Sequence, residues 1–176
     1  MAEVILTRGL PASGKSTWAK AQLDAHPGQF KRVNKDDLRA MLDNGRWSKQ
    51  NEKLVLQVRD DIIRTSLGRG CHVIVDDTNL SPRHERRIRQ LVEEFNKEHG
   101  ESHEVCIRDF TDVRLETCIE RDAKRDQPVG EKVIRGMYRQ FLAPVAEPAH
   151  QVEVAVAASG NELEAHGPGS ATEVEQ

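Results

Sequence analysis

Residues 9–17 read Gly-Leu-Pro-Ala-Ser-Gly-Lys-Ser-Thr, a G-x-x-x-x-G-K-S pattern. The run follows a β-branched stretch, Glu3-Val4-Ile5-Leu6-Thr7, and precedes a segment with helical apolar spacing. In a strand–turn–helix setting these residue types serve one chemistry. Successive backbone N–H groups must wrap phosphate oxygens, so the turn needs permissive residues, Gly9 and Gly14, around Pro11, Ala12 and Ser13. The helix that begins near Lys15 aims its positive end at the same oxygens. Lys15 supplies a mobile cation for the β- and γ-phosphates, Ser16 a hydroxyl ligand for magnesium, and Thr17 a cap or an α-phosphate contact. The run predicts binding of a nucleoside triphosphate with Mg2+. By itself it does not specify a reaction.

A second stretch, Val33-Asn34-Lys35-Asp36-Asp37-Leu38-Arg39, follows the next strand candidate. Loops at the carboxyl ends of parallel strands line the site in a doubly wound sheet. Asp36 would there accept the proton of an attacking hydroxyl, and Arg39, three residues on, would hold an anionic group of the acceptor. The same residues also suit a helix cap and a surface ion pair, and the local pattern leaves both readings open. Val73-Ile74-Val75-Asp76-Asp77 is an apolar strand ending in carboxylates. A carboxylate so placed reaches magnesium through water, and Asp77-Thr78-Asn79 could contact the acceptor or cap the next helix. Arg121, Lys124 and Arg125 precede the breaker-rich segment Asp126-Gln127-Pro128-Val129-Gly130. They fit a hinged basic lid over triphosphate, with Arg121 and Arg125 on one helical face. Because Glu120 and Asp122 are interleaved, they also fit a solvated charged face. Arg83, Arg86, Arg87 and Arg89 crowd one helix start and could meet a phosphodiester backbone; the plainer reading is its solvated face. No histidine pair has metal-ligand spacing.

The elements that must position these residues alternate along the chain. Strands are predicted at 3–7, 30–33, 72–75 and 103–108. Helices are predicted at 16–25, from Asn34 or Asp36 to Asn44, and at 50–67, 81–98, 111–124 and 131–142. Their expected inward faces include Leu38, Met41 and Leu42; Leu54, Val55, Val58 and Ile62; and Val133, Ile134, Met137, Tyr138 and Phe141. Thr111 or Asp112 is the expected cap of the fifth helix. The alternation implies an α/β fold, a parallel sheet with helices on both faces and a helical lid.

The chain has 176 residues, 37% hydrophobic and 31% charged, enough for one packed domain. Aromatics at 4% argue against an aromatic base-stacking sheet. Three cysteines, Cys71, Cys106 and Cys118, are odd in number and far apart, so they read as buried small hydrophobes. The net charge of −3 is uneven: Glu153, Glu162, Glu164, Glu173 and Glu175 follow Pro148 with no Lys or Arg. We expect a domain at 1–147 and a disordered acidic tail at 148–176, within which Gln151 to Ala157 could add an edge strand. No apolar run suits a membrane span and the first residues resemble no leader, so a cytoplasmic protein without membrane contact is expected.

These segments, in this order, resemble the kinase domain of bacteriophage-type polynucleotide 5′-hydroxyl kinases. The likeness runs from Val4 through Gly14-Lys15-Ser16-Thr17-Trp18-Ala19 and Asn34 to Arg39. It continues through Val73 to Pro82, and Arg121 to Arg125 followed by Val133-Ile134-Arg135-Gly136-Met137-Tyr138, covering about residues 3–142. The phosphate loop is common to many families, whereas its combination with N-x-D-D-x-x-R, D-T-N-L-x-P and R-x-x-x-R is far more specific. The resemblance implies transfer of the ATP γ-phosphate to a 5′-hydroxyl end of DNA or RNA. It makes Asp36 the general base and Arg39 the holder of the acceptor's 3′-phosphate. Lys15 and Ser16 become donor-phosphate and magnesium contacts, and Arg125, with Arg121 beside the nucleotide, the lid arginine on the transferring phosphate. Asp77 and Thr78 match a motif near the acceptor. Many relatives carry a phosphatase domain with a D-x-D-x-T motif. That motif does not occur here, so dephosphorylation is not expected. Ala12 stands where relatives often have Gly. A small-molecule kinase of the zeta-toxin type and a non-catalytic nucleotide-binding module are the rival readings.

Overall fold

Four short strands rich in aliphatic residues pair side by side in the computed structural model of the chain, which describes residues 1–143. They are β1 (Glu3–Arg8), β2 (Phe30–Val33), β3 (His72–Val75) and β4 (Glu104–Asp109). All neighbours are parallel and the spatial order is β2-β3-β1-β4. The chain therefore leaves β1 for the far edge, returns beside β1 as β3, and crosses to the other edge as β4. In such a sheet the crevice forms where the connections diverge, at the carboxyl ends of β1 and β3. Register fixes those ends level: Leu6 pairs with Val75, and Val33 with Val75.

The connections are the helices α1 (Lys15–Ala25), α2 (Lys35–Asp43), α3 (Lys49–Leu67), α4 (Pro82–His99), α5 (Leu115–Asp122) and α6 (Glu131–Phe141). Alternation along each strand sends one set of side chains to each face. Val4, Leu6, Val33, Val73 and Val75 meet Val55, Ile63 and Leu67 of α3 and Ile88, Leu91, Val92 and Phe95 of α4. A second, smaller core joins Leu10 and Leu80 to Cys118 of α5 and Ile134 of α6, with Met137 and Tyr138 packed on it. That cluster seats the last two helices directly against the phosphate loop, because Leu10 belongs to both.

The expected strands and helices are all present, with ends shifted by one or two residues except at α5. That helix stops at Asp122 rather than near Lys124, and it begins after Arg114 with no side-chain cap. The proposed caps Thr111 and Asp112 instead lie in a turn in which the Thr111 N–H donates to Asp109 Oδ1 at 2.8 Å. Asn34, not Asp36, caps α2, its Oδ1 accepting from the Asp37 N–H at 3.0 Å. Only Leu38 of α2 is buried; Met41 is 70% exposed, because the second turn runs past the end of the core. Leu54, Val133 and Phe141 also face outward. On α3 the inward row is Val55, Arg59, Ile63 and Leu67, an i,i+4 series that includes a buried arginine. Of the cysteines only Cys118 is fully buried, while Cys71 and Cys106 are half-buried. The boundary at 147, the acidic tail and the edge strand from Gln151 lie outside the described residues. Among those described, no helix is long and apolar enough to cross a membrane.

The loop between α2 and α3 is tightly held. Asn44 and Gly45 adopt positive φ, the Gly45 N–H donates to the Arg39 carbonyl at 2.9 Å, and Asn51 Nδ2 donates to the Arg46 carbonyl at 2.9 Å. Ser48 Oγ accepts from the Asn51 N–H at 3.0 Å and closes the first turn of α3. Replacing Ser48→Ala should lower unfolding free energy by about 1 kcal/mol in urea denaturation, the usual loss for an N-cap. A change within experimental error would mean the cap contributes nothing to the hairpin.

Candidate active site

The turn after β1 curls into a cradle because its backbone takes conformations that side chains resist. Gly14 has φ 101° and Ala12 φ 61°. A Cβ at Gly9 would sit 2.9 Å from Ser13 Oγ and 3.1 Å from the Phe110 carbonyl oxygen. Ala12 accepts a left-handed conformation that costs an alanine roughly 1 kcal/mol relative to glycine. Lys15 is nearly buried and folds back on its own loop. Its Nζ donates to the Leu10 carbonyl at 2.6 Å and to Ser13 Oγ at 3.3 Å. Burial lowers the ammonium from 10.5 to about 8, partly offset by the nearby carboxylate of Asp76.

The opposite wall comes from the turn after β3. Thr7 Oγ1 donates to the Asp77 carbonyl at 3.0 Å, and the Gly9 N–H donates to the Thr78 carbonyl at 3.0 Å. Asn79, at φ 43°, donates through Nδ2 to the Thr7 carbonyl at 2.8 Å. Asp76 is 1% exposed; its Oδ2 accepts from Arg32 Nε at 2.7 Å, while its Oδ1 is buried without a partner. Arg32 also holds Asp37 at 2.6 Å. Asp77 Oδ1 accepts from the Lys35 N–H at 3.1 Å and its Oδ2 is buried without a partner. Burial pushes the Asp77 carboxyl above its ordinary range, against the pull of Lys35.

Asp36 and Arg39 lie one turn apart on α2 and both line the cleft that Lys15, Ser16 and Thr17 line. Arg39 Nη1 donates to Asp36 Oδ1. A third residue, Glu52 of α3, grips Arg39 in a fork: Nε to Oε2 and Nη2 to Oε1, each 2.8 Å. Those hydrogen bonds outweigh partial burial and lower the Glu52 carboxyl below its ordinary range. The fork fixes the guanidinium plane and leaves the outer N–H groups of Nη1 and Nη2 for an incoming oxyanion.

Arg121 and Arg125 reach the same cleft. They do so across a helix end rather than along one helical face, because Arg125 lies beyond α5 in a turn whose N–H donates to the Asp122 carbonyl at 3.0 Å. Asp122, 1% exposed, is the organiser. Its Oδ2 accepts from the Gly130 N–H at 2.8 Å and its Oδ1 from Arg125 Nη1 at 3.3 Å. Burial raises its carboxyl, but the N–H groups of Gly130 and Val129, with Arg125, win and leave it below the ordinary range.

One cleft is lined by Pro11, Ala12, Gly14, Lys15, Ser16 and Thr17, then Asp36, Arg39, Asp77 and Thr78, then Arg121 and Arg125, whereas Lys124, grouped with those two arginines as a lid, is exposed and does not line it. Gly9 and Ser13 shape the loop from behind. Sequence reading passed over Glu52, Arg32 and the structural use of Asp122. Glu52 meets Arg39 only because α3 packs back along α2, and no local pattern signals that pairing. Arg32 meets Asp76 across a strand pair, equally silent in sequence.

Fold and site together define a phosphate-loop domain of the kinase type. The chain belongs to the AAA domain family (AAA_33), whose family model matches residues 4–144. A curated relative, the L-seryl-tRNA(Sec) kinase of Methanococcus maripaludis, is 27% identical over 146 residues. The match covers 80% of this chain and 53% of that protein, so the chain spans about half the length of the relative. Among solved structures, a chain of the Pnkp1/Rnl/Hen1 RNA repair complex superposes with TM-score 0.66 at 24% identity, covering 80% of this chain and 44% of that one. A fungal RNA kinase superposes with TM-score 0.59 at 17% identity, covering 80% and 33%. At these identities the structures establish the fold, and at that level they agree with the polynucleotide-kinase resemblance.

The depressed Lys15 ammonium has a measurable consequence. A triphosphate brings negative charge to Nζ and favours the protonated form. Nucleotide binding at pH 8 and above should therefore take up protons, and affinity should fall as pH rises through about 8. Calorimetry in buffers of different ionisation enthalpy reads this directly; a buffer-independent heat in wild type would contradict it, and Lys15→Met should abolish the uptake.

Proposed function

We propose that the chain transfers the γ-phosphate of ATP to the 5′-hydroxyl end of a polynucleotide, with Asp36 as general base. One observation carries this reading: a single cleft of about 960 Å³ is walled on one side by the phosphate loop and on the other by Asp36, Arg39 and Thr78. That volume lies at the upper end for small-molecule sites and accommodates a donor and the first nucleotide of an acceptor end to end.

The residues divide the work by position. The loop N–H groups and Lys15 hold the donor phosphates. Arg39, its plane set by Glu52, takes a phosphate of the acceptor and so aims the terminal hydroxyl. Asp36 accepts the hydroxyl proton as that oxygen bonds to the γ-phosphorus. The bond from phosphorus to the β,γ-bridging oxygen breaks, its electron pair leaves with ADP, and the proton passes from Asp36 to water. Arg125, supported by Asp122, and Arg121 neutralise charge on the phosphates from the lid side. The chemistry of the donor set suits Mg2+: the Ser16 hydroxyl and the unpartnered Asp76 Oδ1 would hold it, and it would supply positive charge against the phosphates there.

The open acceptor side favours a chain end over an enclosed small molecule. The Asp36 side chain is 85% exposed, so the body of an acceptor whose hydroxyl reaches it continues into solvent. The names of the seryl-tRNA(Sec) kinase and the fungal RNA kinase, both kinases named for RNA, support the same substrate class.

Labelled γ-phosphate should pass to 5′-hydroxyl DNA or RNA in a panel that includes sugar nucleotides. Transfer to sugar nucleotides alone would replace this reading with a small-molecule kinase, and ATP binding with no transfer would leave a binding module. Asp36→Asn should reduce kcat about a thousandfold with ATP affinity nearly unchanged, as expected for loss of a general base; undiminished turnover would remove Asp36 from that role. Glu52→Gln should raise the acceptor KM roughly tenfold and leave ATP affinity alone, since it loosens only the Arg39 fork. An equal loss in ATP affinity would mean that Glu52 merely supports the fold.

A further inference from the structure

Four arginines lie in the first half of α4, and the structure separates them into two kinds. Arg87 Nη2 bonds Asp60 Oδ2 at 2.7 Å and ties α4 to α3. Arg89 bonds Glu85 at 2.8 Å and the Val105 carbonyl at 3.1 Å. Arg83 and Arg86 are exposed and pair with no carboxylate among the described residues. They are three residues apart, so their side chains are neighbours on the helix surface.

Their place in the fold decides what they can meet. The helix α4 starts at the carboxyl end of β3, on the rim of the cleft. Arg83 follows Thr78, a cleft residue, by five positions, so their Cα atoms are at most ~18 Å apart. Between the two free arginines in sequence, His84 buries its Nδ1 without a partner; its imidazole is lowered first by burial and then by the charges of Lys35, the residue before Asp36, and Arg59. The first turn adds little of its own, because Pro82 carries no N–H and the His84 N–H already donates to the Ser81 carbonyl at 3.0 Å, so the positive charge here is that of the two guanidinium groups.

We infer that Arg83 and Arg86, the two unpaired arginines at the start of α4, form a second phosphate subsite that engages the phosphodiester backbone of a polynucleotide acceptor past its first nucleotide. This rests on the reaction proposed above and adds to it a preference for a polynucleotide over a mononucleotide. An acceptor that ends at the phosphate held by Arg39 leaves the subsite unused, whereas a longer strand neutralises both arginines. The contact carries no sequence preference, because it reads charge and not base edges.

The test compares the full chain with the double variant Arg83→Ala/Arg86→Ala. Fluorescence anisotropy with a labelled single-stranded 5′-hydroxyl oligonucleotide is followed across a salt series. The variant should bind roughly tenfold more weakly, and its slope of log affinity against log salt should be shallower by about 1.4, the value for two single-strand phosphate contacts. A charge-matched control, Arg69→Ala/Lys97→Ala, removes two cations at the opposite end of α3 and α4 and should leave both quantities unchanged. In transfer assays the variant's KM should rise for the oligonucleotide and stay the same for a nucleoside 3′-monophosphate. Unchanged affinity and slope, or equal weakening in the control, would overturn the subsite. Tight, salt-sensitive oligonucleotide binding without phosphate transfer by the unaltered chain would overturn the proposed reaction instead, while the loss of that binding in the variant would still uphold the subsite.

Discussion

The junction between the ends of β1 and β3 is the constraint on which the remaining geometry rests. A threonine hydroxyl, a glycine N–H and an asparagine amide cross from one strand end to the other: Thr7 to the Asp77 carbonyl, Gly9 to the Thr78 carbonyl, and Asn79 back to the Thr7 carbonyl. Thr7 and Asn79 are nearly or fully buried, so these bonds form where water cannot compete for them. The phosphate loop and the turn bearing Asp76, Asp77 and Thr78 are thereby one rigid unit. Any group on the first turn is placed relative to any group on the second within the tolerance of a few hydrogen bonds. Phosphoryl transfer needs that, because most of its catalysis is alignment and charge.

Three arginines around this unit are each paired with a carboxylate on another element or turn. Arg32 on β2 steadies Asp76, Glu52 on α3 steadies Arg39, and Asp122 steadies Arg125. The pairs differ in depth. Asp76 and Asp122 are almost wholly buried, where losing a partner strands a charge, whereas Asp36 stands in solvent and its pairing with Arg39 is weak and replaceable.

The strands, helices and phosphate loop were legible because their signals are local. Alternation, helical periodicity, Gly14-Lys15-Ser16 and the Pro82 helix start each depend on residues a few positions apart. The motif residues also proved to share one cleft, since parallel topology gathers strand ends at one edge. What stayed hidden depends on packing. Met41 and Leu42 have the right spacing for a buried face, yet no layer covers the second turn of α2. Arg121 and Arg125 looked like one helical face, but the helix stops between them and the turn held by Asp122 brings Arg125 round. Glu52 and Arg32 act through partners that only the third dimension supplies.

The folded-back Lys15 gives the phosphate loop a tether of its own. Its ammonium already has an oxygen to bind, the Leu10 carbonyl, and an arriving anion must out-compete that tether to enter. A chain of linked phosphates can replace the carbonyl and meet the turn's N–H groups at the same time, which a single small anion cannot. The loop thus screens occupants by charge density before any contact with a base or sugar is made.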